Sequence, residues 1–164
     1  MARPVFPSLA CIPETSPAAV AATRYSPKGI RSFGPLRASL GHDPIALESR
    51  VSVFAMIETA AAVSAVADIC AVDGLAGIYI GPADLAISMG VDVVGATRNP
   101  EVHDAILRIH RVATAAGLVT GIHAIEGKTG RAMAQLGFRM ITLPAESQAL
   151  RRGAAEHLRE ATEQ

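Results

Sequence analysis

The chain has 164 residues, 50% of them hydrophobic, and its 15 Lys and Arg residues balance 15 Asp and Glu residues. This length allows one ordinary hydrophobic core, and zero net charge without a basic stripe argues against a nucleic-acid partner. The two cysteines are too few for a disulfide framework, and no apolar run is long enough to span a membrane. We therefore expect a soluble, cytoplasmic protein with no membrane partner.

The N-terminal segment, residues 1–17, contains four prolines and no hydrophobic period. We expect an irregular N-terminal arm there, rather than the opening strand of a domain, and a single domain over residues 18–164. Residues 18–50 are rich in turn-forming side chains, which predicts a mostly ordered loop with a short helix near residues 45–49.

After Arg50, short apolar runs alternate with stretches of helical pattern. The predicted strands are 51–57, 77–80, 118–122 and 139–143, and the predicted helices are 60–71, 100–116, 128–136 and 147–160. Thr59 can cap the first helix, and a Gly-Pro-Ala-Asp turn with a polar loop follows the second strand. Four strand-helix units predict an α/β fold with a parallel sheet, either a (β/α) barrel or a doubly wound sheet. Since a complete eight-stranded barrel needs about 250 residues, the chain can supply only about half of one.

Two carboxylates directly follow predicted strands. Glu58 comes after the strand that ends at Ile57, and Asp84 comes shortly after the strand that ends at Ile80. Parallel sheets place active sites at this edge, and neighbouring strands lie about 4.8 Å apart. The two carboxylates could therefore converge on one hard cation, with water and substrate oxygens as further ligands. Position alone leaves the alternative open that Glu58 only leads into a helix and Asp84 only caps a turn.

Longer motifs around these carboxylates resemble one known family. Residues 56–59 (Met-Ile-Glu-Thr), residues 73–85 (Asp-Gly-Leu-Ala-Gly-Ile-Tyr-Ile-Gly-Pro-Ala-Asp-Leu) and residues 88–90 (Ser-Met-Gly) are similar to the metal-binding half of HpcH/HpaI aldolases. Residues 21–31 and the Gly34-Pro35 pair resemble the segment before it, so the similarity covers roughly residues 18–162. The resemblance implies a (β/α)8 TIM barrel, of which this chain is the second half.

The function implied by this resemblance is class II aldol chemistry, in which 4-hydroxy-2-oxo acids are cleaved or formed through a pyruvate enolate. The substrates would be a small 2-oxo acid such as pyruvate and an aldehyde, and the cofactor a divalent cation, Mg²⁺, Mn²⁺ or Co²⁺. By resemblance, Glu58 and Asp84 are the metal ligands. The backbone N–H groups around Ala83 and Asp84 would hold the substrate carboxylate beside Gly81 and Pro82. Because half a barrel exposes a sheet edge and an apolar face, we also expect a homo-oligomer.

Two departures from the family pattern affect the catalytic prediction. Met56 stands where these aldolases usually present a substrate-binding glutamine, and a thioether is a poor hydrogen-bonding substitute. In the family, the catalytic histidine and the enolate-stabilising arginine belong to strands that precede the matched part, so the resemblance implies that this chain lacks both. We therefore assign no catalytic residue. His123, at the end of the third predicted strand, is the one candidate, although such a histidine is more commonly structural.

Three functional hypotheses remain at this point. The chain could be part of an active aldolase whose pocket another chain completes, or a catalytically inactive, truncated half-barrel. It could also be a carbon–carbon lyase of the citrate-lyase β or malyl-thioester type, which shares the barrel and the carboxylate pair. The Gly-Pro-Ala-Asp-Leu turn favours the pyruvate aldolases.

Overall fold

The computed structural model describes residues 3–5, 16–34 and 37–163, and these form one parallel sheet with helices on one side. Its strands are β1 (Arg3–Val5), β2 (Val51–Ile57), β3 (Leu75–Ile80), β4 (Val119–His123) and β5 (Met140–Thr142). They lie side by side in chain order, each parallel to the next. A doubly wound sheet would reverse its strand order at one point. The parallel α/β prediction is confirmed, and the strand order is that of a barrel segment.

Eight α-helices connect and cover the described strands. They are α1 (Ser16–Ala21), α2 (Pro44–Glu48), α3 (Ala60–Ser64), α4 (Val66–Cys70), α5 (Pro82–Ser88), α6 (Pro100–Ala115), α7 (Gly127–Gln135) and α8 (Glu146–Thr162). Two 3-10 turns, Ala38–Leu40 and Ala96–Arg98, complete the set. None of the helices in the described part of the chain is both long enough and apolar enough to cross a membrane.

The predicted elements differ from the structure at three places. The helix expected at 60–71 is two helices that meet at Ala65, with Thr59 accepting a hydrogen bond from the Ala62 N–H as predicted. The expected turn and polar loop after β3 contains the helix α5, which starts with Pro82 because proline suits the first helical position. The expected loop after residue 17 begins with α1.

The N-terminal segment also differs from expectation. Residues 3–5 form β1, whose partners are residues 51–53 of β2, so the prediction of an irregular segment without a strand is wrong there. Proline at position 4 argued against a strand, because proline has no N–H for a ladder hydrogen bond. A strand at the edge of a sheet tolerates proline, because one of its sides has no partner strand. Residues 1–2 and 6–15 lie outside the described part, and the domain boundary at residue 17 stays a prediction.

The hydrophobic core lies between one face of the sheet and the helices. Alternate strand residues point into it, and α6 contributes one apolar face, as its pattern predicted. Each of the following core side chains is at most 1% exposed: Val53, Ala55, Ile57, Ile78, Ile80, Ile122, Val102, Ile106 and Ile109. The opposite face, called the inner face below, carries the half-buried side chains of Met56, Tyr79, His123, Met140 and Thr142. In a closed barrel this face would point to the interior.

The core supplies a pH-dependent test at Cys70. Burial raises the pKa of the Cys70 thiol to about 11, from 9.0. The folded protein therefore keeps a proton that the unfolded chain loses, so the contribution of this thiol to stability is complete below pH 9 and declines as the pH rises through 11. The free energy of unfolding in urea should therefore fall more between pH 9 and pH 11 in the wild type than in Cys70→Ala. An identical pH dependence in both proteins would contradict the buried thiol.

Candidate functional site

The register of β2 and β3 brings the two predicted metal ligands together. Ile57 and Ile80 are direct partners, and the Gly81 N–H donates to the Ile57 carbonyl over 3.3 Å. Glu58 follows Ile57 immediately, and Asp84 is the third residue of α5. The two strands thus end level with each other, and both acidic residues lie at the carboxyl edge of the sheet.

Gly81 leaves a small space open between the two carboxylates. A methyl group in place of its hydrogen would lie 3.4 Å from both Cβ and Oε2 of Glu58, and 3.8 Å from Oδ2 of Asp84. One oxygen of each acidic side chain therefore lies within 3.8 Å of this methyl position. The structure brings together the pair that the sequence analysis selected.

The electrostatics of this pair favour a cation. Burial raises the pKa of Glu58, and the negative charge of Asp84 raises it further. Two carboxylates that repel each other gain when a positive ion lies between them. Within the described residues, no third His, Cys, Asp or Glu completes a protein-only cluster. Magnesium sites commonly use one or two carboxylates and fill the remaining positions with water and substrate oxygens, so this donor set fits a hard divalent ion.

Two kinds of contact hold helix α5 in place and so fix the position of Asp84. Leu85 and Ala86 are fully buried in the core. At the far end, the Ser88 hydroxyl accepts a hydrogen bond of 3.0 Å from the Ala60 N–H, two residues after Glu58. The segment that carries Glu58 and the helix that carries Asp84 are therefore joined directly.

The start of α5 offers backbone donors beside the carboxylates. Gly81 is the N-cap and Pro82 the first helical residue, and the first bond that closes within the helix is from Leu85 to Gly81. The N–H groups of Ala83 and Asp84 thus lie in the first turn, where the helix itself provides no acceptor and the helix dipole favours an anion. Ala83 and Asp84 are exposed, and Pro82 is buried beneath them.

His123 lies at the same edge, as predicted, and belongs to a polar cluster on the inner face. Its Nδ1 is 2.9 Å from the Thr142 hydroxyl, which also forms a hydrogen bond with the Tyr79 hydroxyl. The histidine lines a pocket of about 130 Å³ together with Pro82, Ala83 and Arg98. The pocket therefore adjoins the start of α5.

Sequence reasoning missed Tyr79, Thr142 and Arg98. Tyr79 and Thr142 carry hydroxyls within apolar strand runs, at positions of the same parity as Met56 and His123. That parity is the signal that could have identified them, because alternate strand residues share one face. Met56 is half-buried on this face, two residues before Glu58 and opposite Tyr79 in register.

Comparisons with known proteins identify the family of the chain. A model of the HpcH/HpaI aldolase/citrate lyase family matches residues 5–152, which begins earlier than the resemblance described above. A hydroxypyruvate/pyruvate aldolase from Rhizorhabdus wittichii is 41% identical over 74% of this chain and 49% of its own length. A 4-hydroxy-2-oxo-heptane-1,7-dioate aldolase from Salmonella paratyphi A is 37% identical over 83% of this chain and 53% of its own length.

The structural comparison gives the same family. The crystal structure of a HpcH/HpaI aldolase/citrate lyase family protein from Burkholderia cenocepacia superposes with a TM-score of 0.85 and 29% identity, over 98% of this chain and 65% of that one. The chain spans about half the length of the curated relatives it matches.

Proposed function

The chain belongs to the HpcH/HpaI aldolase/citrate lyase family, and from this premise we propose that it serves a metal-dependent aldolase that cleaves or forms 4-hydroxy-2-oxo acids. The observation that carries the proposal is the pair of carboxylates around Gly81. The aldolase names of the two relatives at 41% and 37% identity support the reaction class.

Glu58 and Asp84 would hold the divalent cation. When bound there, Mg²⁺, Mn²⁺ or Co²⁺ would supply the positive charge that polarises the carbonyl group of a 2-oxo acid. Its presence would also offset the repulsion that raises the pKa of Glu58. Met56, which lies on β2 two residues before Glu58, has a thioether and no hydrogen-bond donor for a substrate oxygen. Its side chain would therefore pack against the substrate without donating a hydrogen bond to it.

The start of α5 would hold the substrate carboxylate. The N–H groups of Ala83 and Asp84 point from the first turn of the helix, and Gly81 lets a ligand come close to the backbone. The aldehyde part of the substrate would extend toward the pocket beside His123. Thr142 engages Nδ1 of this histidine, which leaves Nε2 for a substrate or water partner.

The isolated 164-residue chain should be a poor catalyst even if it binds the cation and the substrate. Aldol cleavage needs a base for the hydroxyl proton and a cationic group for the developing negative charge. Positioned acid-base catalysis contributes about 10²–10⁴-fold, and a preorganised donor about 10²–10³-fold. His123 and Arg98 share the pocket beyond α5, but no described contact joins either to Glu58 or Asp84.

A lyase of the citrate-lyase β or malyl-thioester type remains a lower-ranked candidate, because the family description names both aldolases and citrate lyases. The identities to aldolases favour the first candidate. A truncated, inactive half-barrel is the other alternative, and rapid, metal-dependent turnover in the activity measurement below would exclude it.

We further propose that the chain forms a homo-oligomer. The C-terminal helix α8 has no buried residue, and Leu150 and Leu158 on it are 75% and 66% exposed. These two leucines lie on one face of the helix with Ala154 and Ala161, which forms an apolar stripe. A single helix of this length gains most of its stability from packing, so a second copy of the chain is the partner we expect to cover the stripe.

The metal site yields the first prediction. Calorimetric titration with Mn²⁺ should detect one site in the wild type and none in the Glu58→Gln, Asp84→Asn double variant. Gly81→Ala should also weaken binding while it folds normally, because its methyl group would make ordinary contacts but crowd the space between the carboxylates. Asp68→Asn, an exposed carboxylate on α4, is the matched control and should bind as the wild type does. Unchanged affinity in the double variant would rule out this site.

Activity provides the second prediction. With Mn²⁺ present, the chain should release little or no pyruvate from 4-hydroxy-2-oxoheptanedioate, and the same protein after metal removal should release none. Rapid, metal-dependent turnover that Asp84→Asn abolishes would establish the aldolase and disprove its impairment. In that case His123→Leu, which replaces the imidazole by an apolar side chain and so removes both ring nitrogens, tests the remaining base candidate.

Sedimentation velocity tests the oligomer. The wild type should sediment as a dimer or larger species at micromolar concentration, and Leu150→Gln with Leu158→Gln should shift it toward the monomer. Arg152→Gln changes the opposite face of the same helix and should leave the distribution unchanged. A compact wild-type monomer throughout the concentration range would refute the proposal.

A further inference from the structure

Two arginines in the loop that follows α1 carry half-buried charge and form no ion pair with another residue of the described part of the chain. Arg24 and Arg31 are half-buried, and the Nη1 atom of each is enclosed without a hydrogen-bond acceptor. The ion pairs of the described residues lie elsewhere, within α8. Such unsatisfied polar groups are rare in folded proteins, and an ion or ordered water commonly accounts for them.

The backbone holds the two arginines side by side. The Arg31 N–H donates to the Arg24 carbonyl over 2.8 Å, and the Ile30 N–H donates to the Ala21 carbonyl over 2.9 Å. Gly29 makes the turn possible, since a Cβ there would lie 2.5 Å from the Arg24 oxygen and 2.7 Å from its Cβ. The two residues therefore lie next to each other on a doubled-back segment.

Neighbouring groups orient this segment but do not neutralise it. The Arg31 guanidinium carbon lies over the Tyr25 ring, 4.7 Å from its centroid, and this cation–π contact supplies no acceptor for the enclosed Nη1 atom. The Glu48 carboxylate, at the end of α2, accepts the Tyr25 N–H. Residues 15–42 contain no Asp or Glu but have four cationic side chains, of which Lys28 and Arg37 are exposed.

Arginine makes this charge permanent. A buried lysine or histidine can lose its proton, whereas a guanidinium stays charged in proteins. A negative group would therefore offset the cost of its partial burial. Two guanidinium groups on hydrogen-bonded backbone segments offer planar donor edges that match the oxygens of a phosphate or a carboxylate.

We propose that Arg24 and Arg31 form a binding site for a small oxyanion of the phosphate or carboxylate class. The site is separate from the carboxylate pair. Its anchor, Glu48, precedes the amino end of β2, whereas Glu58 follows the carboxyl end of that seven-residue strand, a separation of roughly 20 Å at about 3.3 Å per residue.

Calorimetric titration with inorganic phosphate, in low-salt buffer with a chelator, tests the site. We expect one site per chain, with affinity lowered about 10- to 100-fold by Arg24→Gln or Arg31→Gln because each removes a charge-assisted hydrogen-bonding group. Lys28→Gln removes the same charge from the exposed part of the turn and should stay within about fivefold of the wild type. The Glu58→Gln, Asp84→Asn double variant should bind phosphate normally, which separates this site from the proposed metal centre. The same titration with acetate in place of phosphate shows whether a single carboxylate group is enough for binding.

Unfolding by urea supplies a second test, in which the variants that lose phosphate affinity should not lose stability. In chloride buffer, Arg24→Gln and Arg31→Gln should be as stable as the wild type or more so, because each removes an uncompensated charge. Phosphate should then stabilise the wild type more than either variant, beyond the general effect of this salt, which all of the proteins share. The proposal is overturned if phosphate does not bind, if both variants bind it as the wild type does, or if the variants are less stable in chloride.

Discussion

The register between β2 and β3 determines the rest of the candidate site. Ile57 and Ile80 are partners at the ends of their strands, and the Gly81 N–H extends the ladder by one bond to the Ile57 carbonyl. A shift by one residue would send Glu58 to the helical face of the sheet and bury it among the isoleucines of the core. Since Ile57 is completely buried, the same shift of β2 would also turn this side chain out of the core. The hydrophobic core thus fixes the register, and the register fixes the distance between the two acidic residues.

Sequence patterns predicted the parts of the fold that depend on hydrophobic burial and capping. The runs that became β2 and β4, the apolar face of α6 and the Thr59 cap all follow from local chemistry. Glu58 and Asp84 could be selected because strand ends can be located from the runs before them. Helix α5 was missed because only its starting proline, at position 82, has a strong local signal, while its stability comes from burial of Leu85 and Ala86.

Other features depend on contacts between distant residues and could not be read locally. The hydroxyl of Thr142 meets Tyr79 and His123 only because three separate strands place them on one face. The strand β1 depends on its pairing with residues 51–53, and its proline suggested the opposite. The unpaired Nη1 atoms of Arg24 and Arg31 likewise become apparent only when the acceptors around them are known.

The hydrogen bond from the Ala60 N–H to the Ser88 hydroxyl has a consequence for local motion. It joins the start of α3 to the end of α5, so these two helix ends cannot move apart while the bond is intact. Proteins open in cooperative units whose members share contacts of this kind. Glu58 and Asp84, which lie between the two bonded residues and the strand ends, therefore belong to one opening unit. Thermal opening would separate the carboxylates in a single event, and a ligand held between them would slow the exchange of the Ala60 amide hydrogen although it does not contact that residue.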